Sequence, residues 1–261
     1  MIDNDSEYEA MREAEEGLWW YRNLRRLVAQ EVQRTFSDRR PADVRILDAG
    51  CGTGGTLRHL YKCGYTRIEG FDLSDTAVEL ARTSGLDVRK LDLLDAPRTY
   101  PEAQFDVIVI NDVMCFVPQP KWPDLLRGYG RLLRDGGIII LNLTVGREFA
   151  GIHDLVLSIP ERADPKEFRN VAKAANLSIV REKRWPQLLA PAIWSTRFFQ
   201  RQRIKAGVDV SKLRSDVRPI NPIVNAVFYG LTRLEDTLVP WPVWGSSAFF
   251  VLRPVIDARR R

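Results

Sequence analysis

The clearest potential for chemistry lies in a glycine-rich stretch and the acid in front of it. Gly50, Gly52 and Gly55 fit the spacing G-x-G-x-x-G, which brings a backbone turn close to a bound nucleotide. Asp48 ends the apolar segment directly before this turn, where a carboxylate would repel a diphosphate. The glycine spacing alone is shared by nicotinamide enzymes and other nucleoside-binding proteins, but Asp48 favours a cationic or zwitterionic ligand.

Two more aspartates follow at the ends of later apolar segments. Asp72 lies 18 residues beyond Gly54, a separation typical of a carboxylate that binds both hydroxyls of a ribose. Asp92 ends the next short segment and can accept a hydrogen bond from an exocyclic amine such as that of adenine. For one aspartate alone, a solvated strand end or a helix cap is the simpler interpretation. Together with the glycines, the three favour a nucleoside-binding site.

Alternating strands and helices are predicted to position these residues. Runs of β-branched and aromatic residues predict seven strands, at 44–49, 67–72, 87–91, 105–110, 138–145, 177–184 and 247–253. Helical spacing and caps predict helices at 8–32, 56–62, 75–82, 124–133 and 165–175. This alternation predicts an α/β fold, a doubly wound and mostly parallel seven-stranded sheet of the Rossmann-like type. Its ligand crevice lies at the carboxyl ends of the strands.

The segments Leu47–Gly54, Gly70–Asp72 and Leu91–Leu93 closely resemble the corresponding motifs of class I S-adenosylmethionine-dependent methyltransferases. The resemblance covers residues 44–145 and implies S-adenosylmethionine as cofactor, with S-adenosylhomocysteine as product. The cofactor-binding residues it implies are Asp48, Gly50, Cys51, Gly52 and Gly54 at the glycine turn, Asp72 at the ribose with Leu73 next to it, Asp92 and Leu93 at the adenine, and Asn111 near the methyl group.

A narrower similarity appears at both ends of the chain. Glu15–Arg22 is similar to the entry helix of a bacterial branch of these methyltransferases with a Trp-Trp-aromatic-Arg signature, and Pro242–Ser247 is similar to the lead into that branch's last strand. In such enzymes the N-terminal helix covers the cofactor, which implies that Tyr21 and Arg22 contact the cofactor carboxylate. The alternative is that these aromatic residues simply belong to the core.

Candidates for a general base are few. A hydroxyl acceptor needs a base, whereas an amine needs only to be deprotonated and a stabilised carbanion needs none. His153, just after the fifth predicted strand, and Asp112, after the fourth, are the catalytic candidates, although a lone histidine is more often structural. The bacterial branch has a Glu-His pair where this chain has Cys115 and Phe116. The acceptor therefore cannot be carried over from that branch.

Composition and charge restrict the class of protein. The 261 residues are 45% hydrophobic and 28% charged, which is typical of a globular protein and not of a disordered one. Three cysteines and two histidines lack metal-ligand spacing, so no metal site is expected. The acidic N-terminus does not resemble a secretory signal, and no segment is long enough to span a bilayer, which predicts a cytoplasmic protein.

The net charge of +5 is distributed unevenly. Residues 1–16 carry seven acids and one base, whereas residues 181–218 carry ten bases and three acids. We therefore divide the chain into an N-terminal lid region (1–40), a cofactor-binding domain (41–184 with 246–255) and a basic, aromatic insert (185–245). The aromatic residues of the insert are Trp185, Trp194, Phe198, Phe199, Phe228, Tyr229, Trp241 and Trp244.

The insert leaves several functions open. It could cover the acceptor, form a homodimer interface, rest peripherally on a membrane, or be a packed subdomain with a solvated basic face. The leading hypothesis is a methyltransferase acting on a small molecule or lipid-like metabolite. The alternatives are an RNA methyltransferase, favoured by the basic segment but lacking an Asn-Pro-Pro-aromatic motif at residues 111–114, a non-catalytic scaffold, and a nicotinamide oxidoreductase.

Overall fold

The computed structural model describes residues 5–206, 218–239 and 244–255. Some residues singled out above lie outside these ranges, namely Asp209, Lys212, Arg214 and Asp216 of the basic segment, and Trp241, Pro242 and Val243 before the last strand.

In the described part of the chain, one sheet of seven strands forms the centre of the fold. The strands are β1 (Arg45–Ala49), β2 (Arg67–Asp72), β3 (Val88–Lys90), β4 (Phe105–Asn111), β5 (Leu133–Thr144), β6 (Leu177–Trp185) and β7 (Ser247–Pro254). They lie in the order β3-β2-β1-β4-β5-β7-β6, and only β7 is antiparallel to its neighbours. The predicted Rossmann-like sheet is confirmed.

Helices cover both faces of this sheet, as its apolar strands require. They are α1 (Asp5–Glu15), α2 (Trp19–Thr35), α3 (Gly55–Lys62), α4 (Asp75–Arg82), α5 (Ala96–Thr99), α6 (Trp122–Leu132), α7 (Ile152–Val156), α8 (Pro165–Ala174), α9 (Ala190–Lys205) and α10 (Pro222–Leu238). In β4, Ile108 and Ile110 pack into the layer with α6 and α8, while Val107 and Val109 pack under α2. This alternation is the period of a strand buried on both sides.

The N-terminal region differs from the single helix predicted at 8–32. The structure has two helices, α1 and α2, separated at Glu16–Leu18. The Arg25 guanidinium donates hydrogen bonds to the backbone carbonyls of Glu15 and Glu16, which satisfies acceptors at the end of α1. The apolar stripe was read correctly, but the break at Gly17 was missed because a helical period continues on both sides of it.

The predicted insert also needs adjustment at its start. Trp185 is the last residue of β6 and is fully buried, so it belongs to the sheet. The described insert then consists of two long helices, α9 and α10, and the chain returns to the sheet at Ser247. Ser247 is the register partner of Trp185 in the antiparallel pair.

Candidate functional site

The glycine turn between β1 and α3 adopts backbone conformations that favour glycine. Gly50, Gly52 and Gly54 have φ angles of +73°, +53° and +86°. A Cβ atom added to Gly50 would lie 2.7 Å from Val113 Cγ2. The amide of Gly50 donates to the carbonyl of Phe71 on the neighbouring strand. The turn is thus held against β2 and the residues after β4, with no room for a side chain at Gly50.

Asp48 and Asp72 stand at the carboxyl ends of the paired strands β1 and β2. Asp72 accepts hydrogen bonds from the amides of Gly52 (2.8 Å) and Ser74 (3.0 Å). Asp48 is 2% exposed, and its Oδ2 has no hydrogen-bond partner among the described residues. Burial, together with the charges of Asp72 and Glu15, raises the pKa of Asp48 to about 8. A cationic group placed here would meet an unused buried acceptor.

The third aspartate shapes the loop after β3. Asp92 Oδ1 accepts from the amide of Leu94 at 2.8 Å, and the Leu93 carbonyl accepts from the Tyr129 hydroxyl at 2.9 Å. These bonds fix the loop at the edge of the crevice.

A cavity of about 680 Å³ joins the ends of these strands. It is lined by all of the predicted site residues except two; the lining members are Tyr21, Asp48, Gly50, Cys51, Gly52, Asp72, Leu73, Asp92, Leu93, Asn111, Asp112 and His153. Cys51 is partly buried, and burial raises the pKa of its thiol well above the usual value, which does not suit a nucleophile. The structure therefore brings together residues that are more than 130 positions apart in the sequence.

Arg22 and Gly54 are the two predicted residues that do not line the cavity. The Arg22 guanidinium stacks on the Tyr229 ring, 4.0 Å from its centroid. Gly54 is the N-cap residue of α3 and packs beside Leu86. Arg25 lines the cavity instead of Arg22. Tyr21 and Arg25 are four residues apart and share one face of α2, whereas consecutive residues on a helix point in different directions.

The helix α1 lies over the glycine turn. Met11, Glu7 and Tyr8 of α1 line the cavity, and a Cβ atom on Gly52 would lie 3.2 Å from Met11 Sδ. Glu15, at the end of α1, is 4% exposed and accepts hydrogen bonds from Thr53 and Arg58. Sequence reasoning missed this contact because Glu15 looked like one acid among many at the N-terminus.

The end of β4 carries a network of polar side chains. Asp112 has a φ angle of +54°, which is uncommon for a residue other than glycine. Both of its carboxylate oxygens accept from Asn142 Nδ2, at 3.0 and 2.8 Å. Burial raises the pKa of Asp112 to about 7, although Asn142 and Arg162 oppose the shift. Asp112 therefore holds its proton more tightly than an ordinary aspartate does.

Asn142 is itself held in one orientation. It is fully buried on β5, and its Oδ1 accepts from the indole N–H of Trp185 at 3.0 Å. Trp185 in turn stacks on Trp20 of α2, with ring centroids 5.4 Å apart. One polar residue inside the apolar strand predicted at 138–145 was the only sequence signal for this network.

His153 lines the same cavity from α7, in the loop region after β5. Its neighbour Asp154 is buried and forms a two-bond ion pair with Arg162, at 2.7 and 3.1 Å. Burial raises the pKa of Asp154, but Arg162 and the Gly151 amide outweigh it and hold the pKa below the usual value. Arg162 also lines the cavity and was not predicted as a site residue.

Beside Asp112, the Asn111 side chain faces the cavity from the last position of β4. Neither of its amide atoms has a hydrogen-bond partner within the residues that the structure describes, and the same holds for Thr144 Oγ1 at the end of β5. Buried amides without partners are rare in folded proteins unless a ligand or water occupies the space. They indicate that polar groups of a ligand belong here.

Comparison with known proteins identifies the family. The methyltransferase-domain family matches residues 20–188, more than half of the chain. The chain therefore belongs to this family. It contains a methyltransferase domain that is built on the Rossmann-like seven-stranded sheet described above.

The curated relatives match shorter stretches of the chain than the family does, and their names give different substrates. The tRNA N(3)-cytidine methyltransferase METTL2 of Bos taurus is 33% identical over 111 residues, which are 38% of this chain and 29% of that protein. Phosphoethanolamine N-methyltransferase 1 of Zea mays is 29% identical over 102 residues, 38% of this chain and 20% of that protein. The chain thus spans less than a third of the length of these curated relatives.

Solved structures agree on the fold. A structure described as a putative sarcosine dimethylglycine methyltransferase from Galdieria sulphuraria has a TM-score of 0.57 and 15% identity, covering 88% of this chain and 85% of its own. A SAM-dependent methyltransferase from Archaeoglobus fulgidus has a TM-score of 0.53 and 14% identity, covering 87% and 93%. At this identity the likeness concerns the fold alone.

Proposed function

We propose that the carboxyl-end cavity holds S-adenosylmethionine with its amino-acid end at the glycine turn and its adenosine along β2 and β3. When bound, this cofactor supplies an electrophilic methyl group on a sulfonium. The donor set of the chain fits such a ligand because Asp48 offers a buried acceptor to a cation, and Asp72 and Asp92 stand at successive strand ends. The observation that most supports this cofactor is the buried Oδ2 of Asp48, which has no hydrogen-bond partner among the described residues.

The residues of the chain have distinct tasks in this proposal. Asp48 binds the ammonium group, and Arg25, which also lines the cavity, binds the carboxylate. Asp72 binds the ribose hydroxyls, and Asp92 with Leu93 binds the adenine. Met11 and Tyr21 cover this part of the cavity and exclude water, which strengthens each polar contact inside it.

The acceptor is proposed to be a small, largely apolar molecule with one polar end. Beyond the glycine turn the cavity wall is mainly apolar; its members there include Phe116, Val117, Leu157, Ile159, Leu189 and Ile193. Asn111, Asp112 and His153 lie on the same wall and supply polar groups for the reacting end. Alignment of the two substrates provides most of the acceleration of a methyl transfer.

Asp112 and His153 are proposed to accept the acceptor's proton. A general base works best when its pKa is near the working pH, and a pKa of about 7 gives Asp112 this property. Asn142 holds both carboxylate oxygens and thereby positions Asp112.

An RNA acceptor is the second candidate, favoured by the similarity to a tRNA methyltransferase over 111 residues. The apolar wall of the cavity speaks against it, since bases are bound by stacking and by hydrogen bonds to their edges. A nicotinamide enzyme is less well supported, because the buried acids Asp48 and Asp72 at the glycine turn would repel its diphosphate. A scaffold without activity is also less well supported, because the same two acids form a site for a cationic ligand.

Transfer of a tritiated methyl group from labelled S-adenosylmethionine would test the proposal. The purified protein is incubated separately with a lipid extract, an aqueous metabolite extract and total RNA. We expect label in the lipid or metabolite extract and none above background with Asp72→Ala. Label in RNA alone would make the second candidate correct.

Calorimetric titration with S-adenosylhomocysteine separates binding from transfer. The wild-type protein should bind it, and Asp72→Ala should weaken binding at least tenfold. A folded wild-type protein that binds no S-adenosylhomocysteine would contradict the cofactor assignment.

A further inference from the structure

The helix α10 has its polar and apolar faces reversed. A surface helix normally buries its apolar stripe and exposes its polar face. In α10 the stripe Ile223, Val227, Leu234 and Leu238 is 75%, 54%, 46% and 62% exposed. Their spacing of four, seven and four residues places them on one side of the helix. We refer to these four residues as the α10 stripe.

Polar contacts fix this orientation of α10. Asn225 accepts from the Trp19 amide at 2.7 Å and donates to the Gly17 carbonyl at 2.9 Å. At the other end, Glu235 is 1% exposed and accepts from the amides of Gln187 (2.6 Å) and Leu188 (3.1 Å). Rotating α10 to bury its stripe would break these bonds and leave buried polar groups unpaired. The outward apolar face is therefore a fixed feature of the fold.

The acidic residues of α10 are neutralised by contacts with the protein. Arg233 and Asp236 are both exposed, but Asp236 forms ion pairs with Arg26 at 2.6 Å and with Lys183, and the buried Glu235 accepts from backbone amides. An apolar stripe beside an exposed cation is typical of a helix that lies in the interface of an anionic bilayer.

The helix α9 adds a second surface of the same character. Its sequence contains four bases and no acid. Trp194, Phe198 and Phe199 are 38%, 38% and 66% exposed, and Arg203 and Lys205 are exposed in its last turn. Aromatic rings with adjacent cations suit the headgroup region of a membrane.

Both helices also reach the cavity with their other faces. Ile193 and Thr196 of α9 and Phe228 of α10 line it. A bilayer seated on these helices would lie next to the cavity wall. A second copy of the chain is a poorer occupant, because a two-fold interface would bring the exposed cations of both copies together.

We propose that the α10 stripe, with the exposed aromatic and basic side chains of α9, docks this enzyme on an anionic phospholipid bilayer. The bilayer is then also the source of the apolar acceptor, a step that rests on the proposed function. Among the described residues, no helix combines the length and the apolar composition of a bilayer span.

Vesicle flotation of the full-length protein tests the proposal. Phosphatidylcholine vesicles are compared with vesicles in which a quarter of the lipid is phosphatidylglycerol. We expect binding to the anionic vesicles and weaker binding to the neutral ones. Val227→Asp with Leu234→Asp should lower the bound fraction at least tenfold. Tyr61→Asp with Val180→Asp, which adds the same two charges at exposed positions of α3 and β6, should leave it unchanged.

The basic side chains are tested in the same assay. Arg203→Gln with Lys205→Gln should weaken binding by roughly fivefold for each cation removed. Lys166→Gln with Lys173→Gln, on the exposed face of α8, is the matched control. Trp194→Ser with Phe199→Ser should also lower binding to the anionic vesicles.

Several results would overturn the proposal. One is a wild-type protein that does not float with anionic vesicles, and another is binding that the α10 variants leave unchanged. A wild-type dimer that Val227→Asp with Leu234→Asp converts to a monomer, without vesicle binding, would identify the stripe as a homodimer interface. Titration with S-adenosylhomocysteine is repeated on every variant. A variant that still binds S-adenosylhomocysteine but no longer floats with vesicles has lost only its membrane surface. That result does not contradict the proposed function.

Discussion

Burial is the largest cause of the raised pKa values of three carboxyl groups at one cavity, those of Asp48, Asp72 and Asp112. Asp72 accepts hydrogen bonds from two backbone amides, whereas Asp48 lies on β1 and Asp112 directly follows the neighbouring β4. Neither Asp48 nor Asp112 has a cation as hydrogen-bond partner among the described contacts, so each is costly to ionise in the unliganded protein. A bound cation would remove part of this cost for Asp48. The site is thus built to gain from a positively charged ligand.

This cost gives the unliganded protein a distinct pH dependence. An unfolded aspartate has a pKa of about 3.9 and loses its proton near pH 4, whereas native Asp48, with a pKa of about 8, keeps its proton until the pH approaches 8. Stability from this group is full below pH 4 and is lost as the pH rises towards 8. We expect the melting temperature to fall from pH 5 to pH 8, and to fall less in Asp48→Asn. Asp43→Asn, at an exposed ion pair, is the control. Equal slopes in all three proteins would refute the assignment.

Asn142 is the second residue whose replacement should be informative. Asn142→Leu leaves the Asp112 carboxylate and the Trp185 indole without their partner. We expect a loss of about 2–4 kcal/mol in the free energy of unfolding, measured in urea. Since Asn142 lowers the pKa of Asp112, and a general base must be deprotonated to act, the acidic limb of the activity profile should also move to higher pH. Trp185→Phe keeps the bond to Asp112 and should leave the pH profile in place.

At the level of elements, the position of α1 depends on one buried acid. Glu15 connects α1 to Thr53 and Arg58, which flank the glycine turn. Arg12 adds a bond from α1 to Ser84, at the end of α4. The helix is therefore fastened at two points beside the cavity that it covers.

Weakening this connection should loosen α1. Glu15→Gln is expected to cost about 1–3 kcal/mol and to weaken S-adenosylhomocysteine binding. Amide exchange within Asp5–Glu15 should become faster, while exchange in β1 stays slow. Arg40→Gln, which removes an exposed ion pair, serves as the control. Unchanged exchange in α1 would show that other contacts hold the helix.

The sequence predicted the helices and strands that have strong local patterns, but it did not predict the contacts between them. The strand periods and the helix predicted at 75–82 were confirmed, since each depends on local sequence; Ser74, the residue before that helix, accepts a hydrogen bond from the Ala77 amide. The break between α1 and α2 was missed because a side chain ten residues away, Arg25, caps it. The five-residue helix α7 and the bulge before Ile138 were missed for the same reason, as both depend on tertiary packing.

The candidate site shows the same division. The predicted residues at strand ends, and those of the glycine turn except Gly54, line the cavity, because chain topology alone brings strand ends together. Arg25 lines the cavity and Arg22 does not, since a motif gives residue types but not the rotation of a helix. Asn142 and Arg162 act through partners distant in sequence, which no single-sequence pattern reveals.

For the whole molecule, cofactor binding should appear as thermal stabilisation. A ligand that binds only the native state, at a hundred times its Kd, adds about 2.7 kcal/mol. For a chain of this size that corresponds to a rise of roughly 5–10 °C in Tm. We expect such a rise with S-adenosylhomocysteine, and little rise at the same concentration for Asp72→Ala. Adenosine diphosphate, as a control ligand, should leave Tm unchanged, and a larger rise with it than with S-adenosylhomocysteine would contradict the predicted ligand charge.

The pairing of Trp185 with Ser247 has a consequence for how this protein could diversify. Because the chain leaves and rejoins the sheet at facing positions, the segment that carries α9 and α10 is an insertion between two paired strands. A hairpin turn of a few residues could close the same ladder. Related proteins could therefore carry a different insertion here, and with it a different cavity wall, while the sheet and its glycine turn stay the same.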